Sequence, residues 1–414
     1  MTARRLSPEQ RLFEEIISPV SFARFLREHW EQSLMLVQGR PADKYAEILT
    51  IDSIDRTLAS CKIPPTHIDL GRDSASIAKT EFCSGNDVDL DRVLSLHRQG
   101  ATIILRAFHE WSWPVQSLRR MFEAVFECPV QVNVYLTPPG GQSTPAHFDT
   151  HDIFILQIEG AKHWRMWQSS RRLPLHDEYF DKNKHPVGST ESDITLQPGD
   201  LLYMPRGAVH EPRTTTSYSI HISVGVVVAT WADLLAATVR EASLTNVALR
   251  SSPPLTAGGW IRKPRRLVRE IRKRIAMLDR AAAASAAEHA AIRFVETRSA
   301  QSLGRLVEAA SPQRASLDWV VGRRLGVIFR ISREESGIRL ESRKAQWTAP
   351  LSAEPALSAI ALADTIRASD IPGLDDASKL DLVNRLINAG FLERKREPAE
   401  TALNGDRKPR KARR

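Results

Sequence analysis

From Ser18 to Trp30 the apolar residues Val20, Phe22, Phe25, Leu26 and Trp30 recur at helical spacing, and the apolar run Leu34 to Val37 that follows reads as a strand. A β-branched run spans Thr102 to Leu105. Val115 to Phe126 returns to helical spacing with Leu118, Met121, Phe122, Val125 and Phe126. From Gln131 to about Val228 short β-rich runs take over: Val130 to Leu136, Ile153 to Ile158, His163 to Trp167, Ile194 to Leu196, Leu201 to Met204 and Tyr218 to Val228. Turn signals separate them, among them Pro138-Pro139-Gly140-Gly141, Glu159-Gly160, Pro198-Gly199-Asp200 and Pro205-Arg206-Gly207. Strands this short and this regularly punctuated predict a sandwich or barrel of jelly-roll type.

After Trp231 the pattern changes to Ala, Leu and Arg with almost no β-branched clusters, which predicts helices over residues 231 to 310, broken near Pro253-Pro254 and Gly258-Gly259. Val327 to Ile331 and Ile338 to Leu340 flank Ser336-Gly337 and read as a hairpin. Leu380 to Ile387 reads as a helix that stops at Ala389-Gly390 before a strand, so a small α+β module is expected over roughly 315 to 396.

Composition narrows this picture only modestly. A chain of 414 residues with 42% hydrophobic and 26% charged residues excludes disordered, collagenous and coiled-coil classes, and its length calls for two or three domains. Three dispersed cysteines, Cys61, Cys83 and Cys128, support neither a disulfide framework nor a thiolate zinc site, and with a polar N-terminus they fit a soluble protein of the reducing cytoplasm. Lys and Arg outnumber Asp and Glu by 58 to 49, a net charge of +9 that permits a nucleic-acid-rich partner without demanding one.

Candidate chemistry lies in the β-rich stretch. In a strand, residues two apart share a face, so His147 and Asp149 of His147-Phe148-Asp149 can grip one ion, with His210 returned by the fold to complete a facial set. Two imidazoles and a carboxylate leave octahedral positions open, as non-haem Fe(II) oxygenases require. The competing reading is a structural His-Asp pair and an ordinary hairpin ending in a histidine. Lys162 follows the Glu159-Gly160 turn; inside a barrel its ammonium needs an anionic partner such as a dicarboxylate, and outside it is an ordinary surface lysine.

The run Gln131-Val132-Asn133-Val134-Tyr135-Leu136-Thr137-Pro138-Pro139, followed by Pro145-Ala146-His147-Phe148-Asp149-Thr150-His151-Asp152 and on through Lys162-His163-Trp164, resembles the signature of the JmjC-type, cupin-4 ribosomal oxygenases. The resemblance covers about residues 20 to 230 and weakens beyond. It implies a mixed β and α fold: a double-stranded β-helix (jelly-roll) catalytic domain over 1–230, a helical dimerisation region over 231–312 and a winged-helix-like module over 313–396; the composition of 397–414 reads as a basic, disordered tail. It also implies Fe(II) held by His147, Asp149 and His210, with 2-oxoglutarate bound through its distal carboxylate to Lys162. Asn133 and Tyr135 match pocket positions, Thr144 and Ser223 are weaker candidates, and His151 is read as supporting or structural. One departure from the family is that Gln32, rather than proline, follows Trp30-Glu31, which is expected to affect local packing only.

The activity so implied is 2-oxoglutarate- and dioxygen-dependent hydroxylation of a protein side chain, an arginine or histidine of a ribosomal protein, by a cytoplasmic homodimer. The alternatives are the same chemistry on another protein, a peptide or a small molecule, a non-catalytic cupin-like protein, and a nucleic-acid-binding regulator. Asp152, Glu178, Asp181 and Asp193 are candidates to border a pocket for a cationic side chain. The basic run from Arg262 to Arg274, interleaved with Leu267, Val268, Ile271 and Ile275, and the tail Arg407 to Arg414 read either as solvated surface or as weak RNA or ribosome contacts.

Overall fold

A computed structural model describes residues 6–168, 171–253, 264–298, 304–310, 313–342 and 345–395. The Pro254 to Lys263 break and the tail lie outside these. The chain divides into two compact units, 1–230 and 231–414.

The first unit opens with α1 (Pro8–Ile17) and α2 (Phe22–Glu28). The hydrophobic spacing predicts one helix from Ser18 and misses α1, whose signal is a capping box: Ser7 receives the Gln10 N–H and Gln10 returns a bond to the Ser7 N–H, with Pro8 at the first helical position. Then come β1 (Met35–Val37), α3 (Ile51–Ser60), β2 (Ile68–Arg72), β3 (Ala75–Ser76), the short hairpin β4 (Cys83–Ser84) and β5 (Asp87–Val88), α4 (Leu90–Arg98), β6 (Thr102–Leu105) and α5 (Trp113–Phe126). The strands that follow are β7 (Val130–Thr137), β8 (Asp152–Gly160), β9 (Lys162–Trp167), β10 (Thr190–Leu196), β11 (Leu201–Met204), β12 (Val209–Arg213) and β13 (Ser219–Val226).

They form two facing antiparallel sheets. The larger has the order β1-β11-β8-β13-β7-β6-β2-β3 and the smaller β10-β9-β12. Alternation sends Val132, Val134, Phe154, Leu156 and Tyr203 outward onto α1, α2 and α5, where Phe13, Phe25 and Phe122 complete the main core. The opposite face sends Ile153, Ile155, Leu202 and Met204 inward to meet Trp164, Met166 and Leu196 of the smaller sheet, so the barrel is closed by a second apolar cluster. This is the jelly-roll that the strand spacing predicts.

In the second unit, α6 (Trp231–Thr245), α7 (Val247–Arg250), α8 (Pro264–Ile275), α9 (Arg280–Thr297) and α10 (Arg305–Ala310) occupy the region predicted helical. The Glu241 carboxylate on α6 accepts from Ser285 and faces His289 Nδ1 of α9, each at 3.0 Å. Strands β14 (Val320–Arg323), β15 (Arg330–Glu334), β16 (Gly337–Ser342), β17 (Ala345–Ala349), β18 (Ile366–Arg367) and β19 (Leu392–Arg394) make two three-stranded sheets, β18-β14-β19 and β15-β16-β17. With α11 (Glu354–Leu362) and α12 (Asp376–Asn388) they enclose a separate core around Val321, Leu340, Leu357 and Leu386. The predicted hairpin is β15-β16, pairing Glu334 with Gly337.

Candidate metal centre

His147 and Asp149 lie on the loop between β7 and β8, and His210 is the second residue of β12, at the start of the strand where the sequence places it. The alternation argument puts His147 and Asp149 on a strand; instead a single antiparallel bridge forms, His147 N–H donating to the His210 carbonyl at 3.1 Å and His210 N–H to the His147 carbonyl at 2.8 Å. The ladder stops there because Pro145 has no N–H to give and the Asp149 carbonyl is taken by the N–H of Gly207, 2.9 Å away on a turn.

The side chains nevertheless converge. Asp149 Oδ2 lies 3.7 Å from His147 Nε2 and 3.5 Å from His210 Nε2. One ligand atom from each of the three residues falls within 4.8 Å of the others. His147 Nδ1 sits 2.9 Å from the Pro145 carbonyl and His210 Nδ1 3.0 Å from that of Ala208. A carbonyl only accepts, so each Nδ1 carries the proton and each Nε2 presents its lone pair to the centre. Burial pushes His210 down to about 4, helped by the neighbouring His147. Burial opposes ionisation of Asp149, yet His147, His210 and His151 together hold its carboxyl below the ordinary value. Two neutral imidazoles and one carboxylate give the net charge of −1 that suits a divalent cation, so the donor set fits Fe(II).

Deeper in the barrel, Lys162 is 1% exposed and donates from Nζ to Thr137 Oγ1 at 2.6 Å. Burial brings its ammonium down to about 7. Among the described residues no carboxylate reaches it. Cross-strand register gathers a polar row around it: Asn133, Tyr135 and Thr137 on β7 face Ser223, His221 and Ser219 on β13, and His221 faces Gln157 on β8. The His221 imidazole stacks on Tyr135 with centroids 4.7 Å apart and meets Trp164 at 5.6 Å. Burial, then the charge of Lys162, drives His221 well below the usual imidazole value. Trp164 Nε1, His221 Nδ1 and Gln157 Oε1 are buried without a hydrogen-bond partner. A buried ammonium and buried unpaired polar groups are costly when left alone, and a carboxylate taken in beside them meets that need.

Sequence reasoning missed Thr137, Trp164, His221 and Gln157. Thr137 shares parity with Asn133 and Tyr135, Trp164 with Lys162, and His221 with Ser223, so alternation alone carried the signal. Asn133 Oδ1 accepts the Ala107 N–H at 3.0 Å, and Thr144 bonds locally with Ser143 at 3.3 Å. His151 packs against Gly225, where a Cβ would stand 2.4 Å from its ring.

The four acidic residues read as bordering a cationic pocket are engaged elsewhere. Buried Asp152 accepts from Tyr203 Oη at 2.6 Å and Arg206 at 3.2 Å, and Arg206 also pairs with Glu31. Glu178 pairs with Arg171, Asp193 with His163 at 2.6 Å, and Asp181 accepts the Asn183 N–H at 2.9 Å.

A two-sheet barrel with a facial His-Asp-His set at one end and a buried lysine deeper inside is the architecture of a JmjC domain, and residues 109–234 match that family. Among curated proteins, the chain is 31% identical to mouse Ribosomal oxygenase 2 over 252 residues, 58% of this chain and 54% of that protein. It is 33% identical over 220 residues to the bifunctional lysine-specific demethylase and histidyl-hydroxylase NO66 of Drosophila persimilis, covering 52% of this chain and 31% of that one. The chain thus spans about half the length, or less, of these relatives. Among solved structures, the Escherichia coli ribosomal oxygenase YcfD superposes with a TM-score of 0.52 at 17% identity, over 91% of this chain and 98% of that one, a likeness of fold. The resemblance read from the sequence motifs is borne out. No helix among the described residues is long and apolar enough to cross a membrane.

Proposed function

We propose that the protein is an Fe(II)- and 2-oxoglutarate-dependent dioxygenase that hydroxylates a side chain of a ribosomal protein. The observation that carries this reading is the pairing, inside one barrel, of a convergent His147-Asp149-His210 set with a buried Lys162 that lacks a carboxylate partner. The names of the curated relatives support the substrate class, and the Escherichia coli enzyme has been solved with cobalt and 2-oxoglutarate, and with cobalt and succinic acid.

In this reading His147, Asp149 and His210 hold the metal, and Lys162 with Thr137 receives the distal carboxylate of 2-oxoglutarate. Iron, when bound, couples decarboxylation of 2-oxoglutarate to insertion of an oxygen atom from dioxygen into an unactivated C–H bond. The chain's own work is positional. Backbone carbonyls of Pro145 and Ala208 fix the imidazole tautomers, and Lys162 meets the carboxylate as an ammonium once that charge is present. The wall of Ile153, Ile155, Met166 and Leu202 excludes water. Asn133, Tyr135 and Ser223, on facing strands, line the pocket that takes 2-oxoglutarate beside Lys162.

We further infer that α6–α10 include a dimerisation region, that 313–396 is a winged-helix-like module, and that the enzyme acts in the cytoplasm as a homodimer. Basic residues of α8 such as Arg265, Arg269 and Arg272 make weak contact with ribosomal RNA.

Anaerobic thermal unfolding with Mn(II) in place of iron tests the site. 2-Oxoglutarate at a hundred times its Kd adds about 2.7 kcal/mol. The gain should require metal and vanish in His147→Ala and Lys162→Ala; no gain in the wild type overturns the assignment. Mass spectrometry of ribosomal proteins from cells lacking the gene tests the substrate, which the reading expects to lose 16 Da on one of them, the mass of the inserted oxygen atom. Unchanged masses would remove the ribosomal substrate and leave the oxygenase chemistry.

A further inference from the structure

The 22 residues between β9 and β10 are longer than a hairpin needs, and their described part folds back on the metal loop. Phe148, the residue between the ligands His147 and Asp149, turns away from the centre and is 4% exposed. Its cover comes from this segment: the Phe180 ring meets it edge-on at 5.3 Å and the His185 ring at 5.1 Å, with Phe180 and His185 stacked on each other at 6.0 Å. His185 is itself fixed, its Nδ1 accepting the Asp181 N–H at 3.2 Å and its own N–H bonding the Asp181 carbonyl at 2.7 Å. A second contact lies across the loop. A Cβ on Gly207, whose N–H holds the Asp149 carbonyl, would stand 2.3 Å from the Arg171 carbonyl and 2.8 Å from Pro174 Cδ. Farther along, His176 Nε2 lies 2.9 Å from the Val228 carbonyl.

A loop tied to the barrel by one bridge and the Gly207–Asp149 hydrogen bond has little in its backbone to fix the side chains of two ligands. Phe148 cannot rotate or withdraw without moving His147 and Asp149, which flank it in the chain, and the rings that meet it are those of Phe180 and His185. We propose that Phe180 and His185 are positioning residues for the metal: through Phe148 they hold the loop so that His147 and Asp149 meet His210. This rests on the metal assignment above. Edge-on contacts of this kind add to burial, and partners that orient ligands from behind typically change metal affinity about 10–100-fold.

The test is Mn(II) binding by calorimetry on the full chain, with unfolding midpoints recorded in chelator and the visible spectrum of the Co(II) form. The expected result is a Kd on the order of tenfold weaker in both Phe180→Ala and His185→Ala, a changed Co(II) spectrum, and recovery in Phe180→Tyr, which keeps the ring. Should Phe180→Ala fail to fold, His185→Ala, at a partly buried position, still decides the matter. Wild-type affinity and spectrum in folded variants would overturn the proposal while leaving the metal site intact. Absence of Mn(II) binding in the wild type would overturn both.

Discussion

Lys162 is where one residue's physics decides most. Its ammonium is brought to about 7 by burial, so below that pH the site already carries the charge a carboxylate needs, and above it each binding event must take up a proton. Affinity for 2-oxoglutarate with Mn(II), measured by calorimetry from pH 6 to 9, should hold near neutrality and then fall, approaching tenfold per pH unit. A flat profile would mean that Lys162 does not meet the ligand as a titrating group. The same depression has a stability consequence. Between about 7 and the ordinary 10.5 the unfolded chain binds a proton that the folded chain does not, so stability without ligand rises with pH through that window. Lys162→Met removes this dependence and the cost of burying the group. Its midpoint at pH 7 should rise, a gain of about 1 kcal/mol corresponding to roughly 2–4 °C, while the shift with 2-oxoglutarate is lost. The sequence could nominate Lys162 but not choose between a buried and a surface lysine, because that depends on where β9 meets β13 and β7. Thr137 and His221 were legible only as parity, and acquire meaning once the register sets them beside Lys162.

At the scale of elements, the turn between β11 and β12 leads directly into the third ligand, His210 on β12, and through Gly207 holds the loop of the other two. Gly207 adopts φ +87, and a Cβ there would stand 2.3 Å from the Arg171 carbonyl, so Gly207→Ala is strained twice over. We expect it to lower the unfolding free energy by more than 1 kcal/mol and, because its N–H anchors Asp149, to weaken Mn(II) binding beyond what His210 alone would explain. Equal metal affinity in the variant, measured by calorimetry, would show that the turn does not transmit to Asp149. Strands such as β7 and β11 were readable because each is rich in apolar residues and bounded by Gly or Pro, whereas β12, Val209–Arg213, is mostly polar and offers no such run. His147-Phe148-Asp149 was misread as a strand for a physical reason: alternation tests which face a residue takes but not whether a neighbouring backbone supplies hydrogen bonds, and here only one bridge forms. The helix α1 was hidden because its first turn is polar and its evidence is a cap rather than a stripe.

For the whole molecule, the first unit explains a chemistry, whereas the second explains itself only in part. Its own core around Leu357 and Leu386 is closed, yet α6 leaves Trp231 80%, Leu235 58% and Val239 44% exposed, three large apolar side chains spaced four apart along one edge. On α8, Val268, Ile271 and Ile275 stand exposed between arginines. Apolar surface arranged in rows is favoured to leave water at about 25 cal/mol per Å², and a second copy of the same chain offers identical rows in a two-fold arrangement. The full-length protein should therefore sediment as a dimer at micromolar concentration. Leu235→Glu places a carboxylate where an apolar contact is expected, so its dimer Kd should rise at least tenfold, about 1.4 kcal/mol, with the barrel's response to Mn(II) and 2-oxoglutarate unchanged. Sedimentation of the wild type at monomer mass at those concentrations would exclude the dimer and leave these rows for a different partner. Loss of the 2-oxoglutarate response in Leu235→Glu would instead tie assembly to the integrity of the catalytic barrel.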